Sequence, residues 1–193
     1  MRIVSGQFRG KILMSPAGLA TRPTSDRARQ AVFNILEHAS WCPFSLPENA
    51  HVLDVFAGTG ALGLESLSRG AADAVFIEQS GEALKALRHN IDSMDMGTRT
   101  QVLRTDALHP TPRPPTVAPR TLVFLDPPYG KNWGYAALTA LAAKDWLAKD
   151  CVCVMEMSKK QPEPLPEGFT LADTRHYGVA EVRFLLRGMA RGT

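Results

Sequence analysis

A short segment at the end of an apolar run carries residue types that suit an amino group. The run at residues 122–125 leads into Asp126, Pro127, Pro128 and Tyr129. Proline lacks an amide hydrogen and stiffens the chain, so carbonyl oxygens such as that of Pro127 stay free to accept hydrogen bonds. Asp126 adds a carboxylate acceptor, and Tyr129 adds a flat ring for a base to stack against. These four residues are the predicted catalytic residues of a pocket for an exocyclic base amine.

The chemistry of amine methylation explains why paired acceptors are useful there. The lone pair of such an amine is delocalised into the ring and must localise on nitrogen before it attacks a sulfonium methyl group. Acceptors that hold the amine hydrogens favour this state and stabilise the positive charge that develops on nitrogen. Because prior deprotonation is unnecessary, Asp126 need not be a strong base.

A second segment, at residues 52–63, joins an apolar strand to a helix through a glycine-rich turn. Glycine there permits φ angles that a β-carbon resists and lets a ligand approach the backbone. Glu78 ends the next strand, at the spacing typical of a carboxylate that accepts hydrogen bonds from ribose hydroxyls. Asp106 follows the third strand and is placed to accept from an adenine amine. A nucleotide-like cofactor at the carboxyl edge of a sheet is therefore expected.

The glycines alone do not identify that cofactor. Gly58, Gly60 and Gly63 also satisfy the dinucleotide pattern G-x-G-x-x-G, so an NAD-type oxidoreductase is an alternative. The Asp-Pro-Pro-Tyr segment opposes it, because hydride transfer has no use for paired acceptors around an amine. A non-catalytic RNA-binding assembly factor is a third hypothesis, which predicts a cofactor site without turnover.

Several side chains near these segments have two interpretations. Trp133 and Tyr135 either help a base to stack or pack in the core. Glu156 ends the fifth strand, where it either faces the active-site edge or makes a structural cap or ion pair. Cys151 and Cys153 alternate within an apolar run and are expected on one buried strand face.

The elements that position these residues alternate between apolar strands and helices. That alternation is typical of an α/β fold with a parallel sheet covered on both faces. The last two strands are joined by a short link and are expected to form an antiparallel hairpin. A proline-rich stretch at residues 110–119 predicts a stiff, exposed connection without a helix. The predicted strands are residues 51–56, 74–78, 101–104, 122–125, 151–157, 170–177 and 182–187, and the helices between them are residues 61–69, 81–94 and 135–147.

Basic charge is concentrated at the two ends of the chain. Residues 1–40 hold six Lys and Arg against two Asp and Glu, and residues 175–193 hold four Arg against one Glu. An anionic partner bound by the termini is one interpretation, and solvated surface charge is the other. Residues 2–13 predict a β-hairpin that carries part of this charge, and a helix with an apolar face follows it.

The bulk composition is that of one globular domain. The chain has 193 residues, 45% of them hydrophobic, and a net charge of +3. We expect an N-terminal hairpin and helix extension at residues 1–45 and a Rossmann-like core at residues 46–188. No run approaches the ~18 apolar residues that a membrane span needs, and the first residues lack a secretory signal. The expectation is a cytoplasmic monomer with no membrane partner, and the scattered histidines predict no metal site.

Two motifs together resemble a known class of enzymes. Residues 54–60 with residues 126–129 are similar to the amino-methyltransferase branch of the class I, S-adenosylmethionine-dependent enzymes. Residues 22–29 and 64–71, with Phe33-Asn34, narrow the resemblance to the bacterial 16S ribosomal RNA guanine-N2 methyltransferases of the RsmD family. The similarity extends from Arg2 to Arg187.

This resemblance implies a seven-stranded, mostly parallel sheet with an antiparallel C-terminal hairpin and a small N-terminal β-hairpin extension. It implies S-adenosylmethionine as methyl donor and 16S rRNA in the assembling or assembled 30S subunit as partner. Methylation of adenine N6 in DNA or RNA is the alternative, since both amines need the same acceptors. The residues expected to bind the cofactor are Asp54, Phe56, Gly58, Gly60, Glu78, Asp106 and Ala107. The residues expected to contact RNA are Arg2, Arg9, Lys11, Arg22, Thr24 and Arg27.

Overall fold

The computed structural model describes residues 1–16, 26–42 and 45–188, which form one mixed sheet with helices packed against it. The strands are β1 (His51–Val55), β2 (Asp73–Ile77), β3 (Thr100–Leu103), β4 (Arg120–Leu125), β5 (Leu147–Ser158), β6 (Phe169–Tyr177) and β7 (Ala180–Arg187). The helices are α1 (Asp26–His38), α2 (Ala61–Ser68), α3 (Gly81–Ser93) and α4 (Trp133–Ala143), with a single 3₁₀ turn at Gly97–Arg99. None of the helices in these described ranges is long and apolar enough to cross a bilayer.

The sheet has the order β3-β2-β1-β4-β5-β7-β6. Strands β1 to β5 pair in parallel, and β7 pairs antiparallel with both β5 and β6. This confirms the predicted seven-stranded, mostly parallel sheet with its C-terminal hairpin. Strand order reverses between β1 and β4, and such a switch point opens a crevice at the carboxyl ends of the strands.

Alternating residues of the central strands pack against two different groups of helices. On β1, Val52 belongs to a core that includes residues of α1, α2 and α3, whereas Leu53 belongs to a core that includes α4. Leu122 and Val123 on β4 divide in the same way. Since both faces of the parallel strands are buried, these strands are apolar runs, as predicted.

The boundary between α4 and β5 differs from the predicted one. The helix ends at Ala143, and Leu147, expected to be its last residue, is the first residue of β5. Asp145 takes a left-handed conformation with φ of 59°, which stops the helix. Trp146 is buried in the turn, where its indole N–H donates to the Thr111 carbonyl at 2.8 Å. Trp146 and Leu147 are apolar and continue the helical spacing of the sequence, but they are buried outside the helix.

That indole contact also anchors the connection at residues 110–119. As predicted, the segment contains no helix, and all of its residues are described. Most of them are exposed or half-buried, but Pro110 is buried. The connection is therefore fixed to the domain at its start and open to solvent along most of its length.

The N-terminal hairpin is short. It closes through one antiparallel bridge, Arg2 to Ile12, together with a backbone hydrogen bond of 2.9 Å from Ile3 N–H to the Lys11 carbonyl. Both of its ends are held by side chains of the core. We call residues 1–14 the N-terminal arm.

Glu65 on α2 is the main anchor of the N-terminal arm. Its carboxylate is fully buried and accepts hydrogen bonds from the backbone N–H groups of Val4 at 2.7 Å and Ser5 at 3.0 Å. The Arg69 guanidinium donates to it at 2.7 Å, and Arg29 Nε lies 3.7 Å away. The Glu65 carboxylate therefore compensates the buried charges of Arg29 and Arg69 and also pairs two backbone N–H groups of the N-terminal arm.

We predict that Glu65→Gln lowers the free energy of unfolding by about 2 kcal/mol, because it removes the fully buried carboxylate that Arg29 and Arg69 share and leaves them only the partly exposed Asp26 and Glu37. Urea unfolding followed by circular dichroism measures the change. Glu82→Gln removes an exposed carboxylate paired with Lys85 and should change stability by less than ~0.5 kcal/mol. Equal effects of the two substitutions would contradict the anchoring role of Glu65.

Candidate active site

A cavity of about 550 Å³ lies at the carboxyl edge of the sheet, over the switch point between β1 and β4. Its walls come from the turn after β1, the end of β2, the loop after β4 and the first residue of α4. This volume lies within the usual range for pockets that hold small ligands and cofactors. Two residues of the N-terminal extension, Met1 and Arg29, complete the wall.

Asp54 fixes the glycine turn from beneath. Its side chain is 2% exposed, and its Oδ2 accepts a hydrogen bond of 2.8 Å from the Gly63 N–H in the first turn of α2. Burial raises the pKa of Asp54 to about 7, the Gly63 hydrogen bond opposes that rise, and the negative charge of Glu78 adds to it. Asp54 therefore ties the end of β1 to the helix that follows it and also faces the cavity.

Gly58 and Glu78 meet across the next part of the cavity. Gly58 has a φ of +56°, and its N–H donates to Glu78 Oε2 at 2.8 Å. Glu78 Oε1 accepts from the backbone N–H groups of Gln79 at 2.8 Å and Ser80 at 2.7 Å. A carboxylate has about four acceptor positions, so one that receives three backbone bonds is fixed in place and can still accept from a ligand.

Gly60 was expected to bind the cofactor, but it does not line the cavity. It precedes α2 with a φ of +79°, and a β-carbon there would lie 2.3 Å from Leu87 Cδ1. The residue is thus required for the bend of the turn and for the close packing of α2 against α3.

Two aromatic rings form a flat wall. Phe56 and Trp133 are nearly parallel, with ring centroids 6.2 Å apart and an interplanar angle of 13°, and both line the cavity. Phe56 has a φ of +61°, an uncommon conformation for a residue with a side chain that is typical of functional turns. Tyr135 is half-buried outside the lining, and its backbone N–H donates to Glu163 at 2.6 Å. Of the two aromatic residues in this part of the chain, Trp133 is therefore the one that faces the cavity.

The loop after β4 brings Asp126, Pro127, Pro128 and Tyr129 to the cavity together. Asp126 is half-buried, and no residue in the described ranges donates a hydrogen bond to its carboxylate. Burial raises the pKa of Asp126 well above its usual value, and the charges of Glu156 and Asp54 raise it further. The carboxylate is thus an acceptor in an environment that favours a donor or a positive charge beside it.

Glu156 also lies at this edge. It lines the cavity, and its Oε1 accepts a hydrogen bond of 2.6 Å from the Tyr129 hydroxyl. The sequence indicated only that Glu156 lies near the end of the fifth strand. Its side chain reaches the cavity because β5 pairs with β4.

Arg29 is a charged lining residue that the sequence pattern was not used to predict. It is 1% exposed and donates to the Arg2 carbonyl oxygen and, at 2.9 Å, to Asp26 Oδ1. Its Nε has no hydrogen-bond partner among the described residues. A signal existed, because residue 29 falls on the same face of α1 as the buried Phe33 and Leu36. A basic residue on an apolar stripe indicates a specific buried role.

The remaining cofactor residues divide between the cavity and its surroundings. Ala107 is buried and lines the cavity. Asp106 does not line it, and its carboxylate accepts from the Leu108 N–H at 2.9 Å and contacts His109 Nδ1 at 2.9 Å. The Leu108 hydrogen bond has the larger effect and the His109 contact the smaller, and both lower the pKa of Asp106. Asp106 therefore shapes the loop that presents Ala107.

The residues expected to contact RNA lie in the N-terminal extension. Arg2, Arg9 and Arg27 are exposed, and Lys11 is half-buried. Since Met1 lines the cavity, the N-terminal arm begins at its wall and Arg2 follows directly. The other two expected RNA contacts, Arg22 and Thr24, lie outside the described residues.

The chain matches a family model and curated relatives over most of its length. The family model, described as conserved hypothetical protein 95, matches residues 1–186. The Escherichia coli K12 protein named ribosomal RNA small subunit methyltransferase D is 32% identical over 188 residues, covering 97% of this chain and 90% of that protein. The Haemophilus influenzae protein of the same name is 30% identical over 187 residues, covering 95% and 92%.

Solved structures agree with the fold. The Escherichia coli protein yhhF has a TM-score of 0.80 and 32% identity, and the match covers 97% of each chain. The Pyrococcus horikoshii protein PH1948 has a TM-score of 0.66 and 17% identity, with 93% of each chain covered, so it bears on the fold alone. The predicted Rossmann-like class I methyltransferase fold is confirmed.

The raised pKa of Asp54 predicts a pH dependence of stability. The folded state holds the proton of Asp54 up to about pH 7, whereas an unfolded Asp releases it near pH 3.8. The stability gained from this proton is therefore fully present below about pH 4 and is lost as pH rises to 7. The free energy of unfolding falls by about 3 kcal/mol over this range.

Asp54→Asn keeps an oxygen for the Gly63 N–H and removes the titration. Urea unfolding of this variant between about pH 4 and 7 should therefore lose about 3 kcal/mol less stability than the wild type. The exposed Asp150→Asn variant is the control and should follow the wild type. A variant at residue 54 with the wild-type slope would refute the assignment.

Proposed function

The chain belongs to the conserved hypothetical protein 95 family, and we propose that it is an S-adenosylmethionine-dependent methyltransferase that methylates N2 of a guanine in 16S ribosomal RNA. The observation that carries the proposal is the meeting of Asp126 with the glycine turn. Val55 and Leu125 are partners in the β1–β4 register, so the residues after them, Phe56 and Asp126, leave the sheet side by side. Adjacent strands lie ~4.8 Å apart, so a ligand held at the glycine turn and a base held by Asp126 would be neighbours.

The cavity fits the methyl donor. Phe56 offers an apolar face, and a β-carbon at Gly58 would have the Phe56 carbonyl oxygen, at 4.0 Å, as its nearest neighbour. Glu78 holds a fixed carboxylate where ribose hydroxyls would lie. Acidic groups also suit a ligand with a positively charged sulfur, because a cation beside a carboxylate is favoured in a cavity of low dielectric. When bound, S-adenosylmethionine supplies an electrophilic methyl group on that sulfur.

The chain's own residues orient the acceptor base. Tyr129 and the neighbouring wall provide a surface for stacking, and Asp126 accepts one hydrogen of the exocyclic amine while the Pro127 carbonyl accepts the other. With the donor's methyl group facing the amine nitrogen, these two acceptors would favour localisation of the lone pair on that nitrogen and would stabilise the positive charge that methyl transfer places on it. The surplus proton on nitrogen passes to Asp126, whose raised pKa suits a proton acceptor.

The substrate class rests on the relatives and on charge. The relatives that cover nearly the whole chain carry the name ribosomal RNA small subunit methyltransferase D. The exposed Arg2 follows Met1, which lines the cavity. Arginines of the N-terminal extension would therefore contact the phosphates around a base inserted into the cavity. We propose that a monomer acts on 16S rRNA in the assembling or assembled 30S subunit.

Methyl transfer to defined substrates tests the proposal. The enzyme and labelled S-adenosylmethionine are incubated with unmodified small subunits, naked 16S RNA and DNA, and the methylated nucleoside is identified after digestion. We expect N2-methylguanosine from the RNA substrates. N6-methyladenosine as the product would show that the target base is adenine and not guanine. Binding of NAD(H) without binding of S-adenosylmethionine would refute the proposed methyltransferase activity.

Asp126→Ala should reduce kcat by at least about 100-fold, because it removes an acceptor that acts on the developing charge. Calorimetry with S-adenosylhomocysteine should give nearly the wild-type affinity, since the turn that holds the cofactor is unchanged. Wild-type turnover in this variant would remove the catalytic assignment.

Charge reversal in the N-terminal arm should weaken RNA binding in a salt-dependent way. For the double variant Arg9→Glu and Lys11→Glu, the negative slope of log affinity against log salt should become less steep by about 2 units. Lys144→Glu with Lys149→Glu makes the same charge change at exposed positions near the amino end of β5, away from the cavity. An arm variant that binds like this control would contradict the role of the arm.

A further inference from the structure

The cavity holds a second carboxylate beside the catalytic loop. Leu125 of β4 pairs with Met155 of β5, so the residues that follow them, Asp126 and Glu156, lie side by side at the carboxyl edge. Both line the cavity, and the charge of Glu156 acts directly on Asp126. The proposed function assigns Asp126 to the amine of the base, but it does not explain why a second carboxylate, Glu156, lines the cavity.

The two candidate bases differ in what they offer to a second acceptor. Guanine presents two neighbouring donors, its N2 amine and its N1–H, whereas adenine presents its N6 amine next to N1, an acceptor without hydrogen. Two neighbouring carboxylates match the guanine edge. Against adenine, the second carboxylate would face a lone pair, and an unpaired buried acceptor is costly.

We propose that Glu156 determines base specificity by accepting the N1–H of the target guanine while Asp126 accepts from its N2 amine. This inference rests on the proposed methyltransferase activity and names the feature of this chain that selects guanine. The sequence motif alone leaves the choice open, because Asp-Pro-Pro-Tyr suits either amine.

Tyr129 keeps Glu156 in position. Its hydroxyl donates to Glu156 Oε1 at 2.6 Å, which fixes the carboxylate in one orientation. A carboxylate has about four acceptor positions, so this bond leaves Glu156 able to accept another. The Tyr129 ring faces the same cavity, so the residue that stacks on the base also orients the group that reads its edge.

A base analogue distinguishes the proposed role of Glu156 from that of Asp126. 2-Aminopurine keeps the N2 amine of guanine but has an unprotonated N1. Semisynthetic 16S RNA with guanine or 2-aminopurine at the methylated position is reconstituted into subunits, and kcat/KM is measured for each. The wild type should prefer guanine by at least about 100-fold, because a site built to accept a hydrogen bond rejects an analogue without the donor.

Glu156→Gln replaces the carboxylate by an amide that can donate to the unprotonated N1. The preference for guanine should then fall at least about tenfold. Glu181→Gln is the matched control, because this mostly buried carboxylate on the neighbouring β7 lies outside the cavity lining. It should keep the wild-type preference. Affinity for S-adenosylhomocysteine confirms that each variant is folded.

The outcomes distinguish this inference from the activity on which it rests. An unchanged preference in Glu156→Gln overturns the role of Glu156 and leaves guanine methylation standing. If the variant turns over neither RNA, the ratio of the two RNA dissociation constants with S-adenosylhomocysteine bound replaces kcat/KM, and a wild-type ratio overturns the inference. If the wild type methylates adenine instead of guanine in natural RNA, the proposed function itself fails.

Discussion

The parallel pairing of β1 with β4 is the constraint on which the site depends. It places the residues after Val55 and Leu125 at neighbouring strand ends, although about seventy residues separate them in the chain. β2 and β5 flank this pair and bring Glu78 and Glu156 to the same edge. Because a one-residue shift in register would move every side chain of a strand to the other face of the sheet, the two buried cores that fix the register also fix the site.

The cavity is acidic although the chain is basic. Its lining includes four carboxylates, those of Asp54, Glu78, Asp126 and Glu156, in a chain of net charge +3. Burial, together with the repulsion between these carboxylates, raises the pKa values of Asp54 and Asp126. A positively charged donor or an amine that becomes cationic relieves this repulsion, whereas phosphates are repelled from it. In the proposed reaction, exposed basic residues would therefore contact the RNA backbone, and the acidic interior would favour the cationic methyl donor.

The sequence predicted the parts of the site that follow from local chain order. Asp126 to Tyr129, Gly58 and Glu78 each follow directly from a strand end, and parallel strands end at one edge, so their meeting was predictable. The placement of Glu156 depends on β5 pairing with β4, and that of Arg29 on the packing of α1 against the sheet. Asp106 was placed at the correct edge, but local bonds to Leu108 and His109 decide where its side chain points. Neither strand pairing nor such loop bonds leave a periodic signal, whereas the apolar face of α1 indicates that Arg29 is buried but not which groups it contacts.

The N-terminal arm and the glycine turn share a buried side chain. Asn90 on α3 is fully buried, accepts from the Met14 N–H at 2.7 Å, and donates to the carbonyls of Met14 at 3.1 Å and Thr59 at 3.0 Å. Met14 ends the arm, and Thr59 lies in the turn that lines the cavity. If the arm left the core, the Asn90 oxygen and one of its amide hydrogens would lose their partners in a buried position next to the turn, which is costly. The basic extension is thus part of the same packed structure as the site, held at one end by Glu65 and at the other by Asn90.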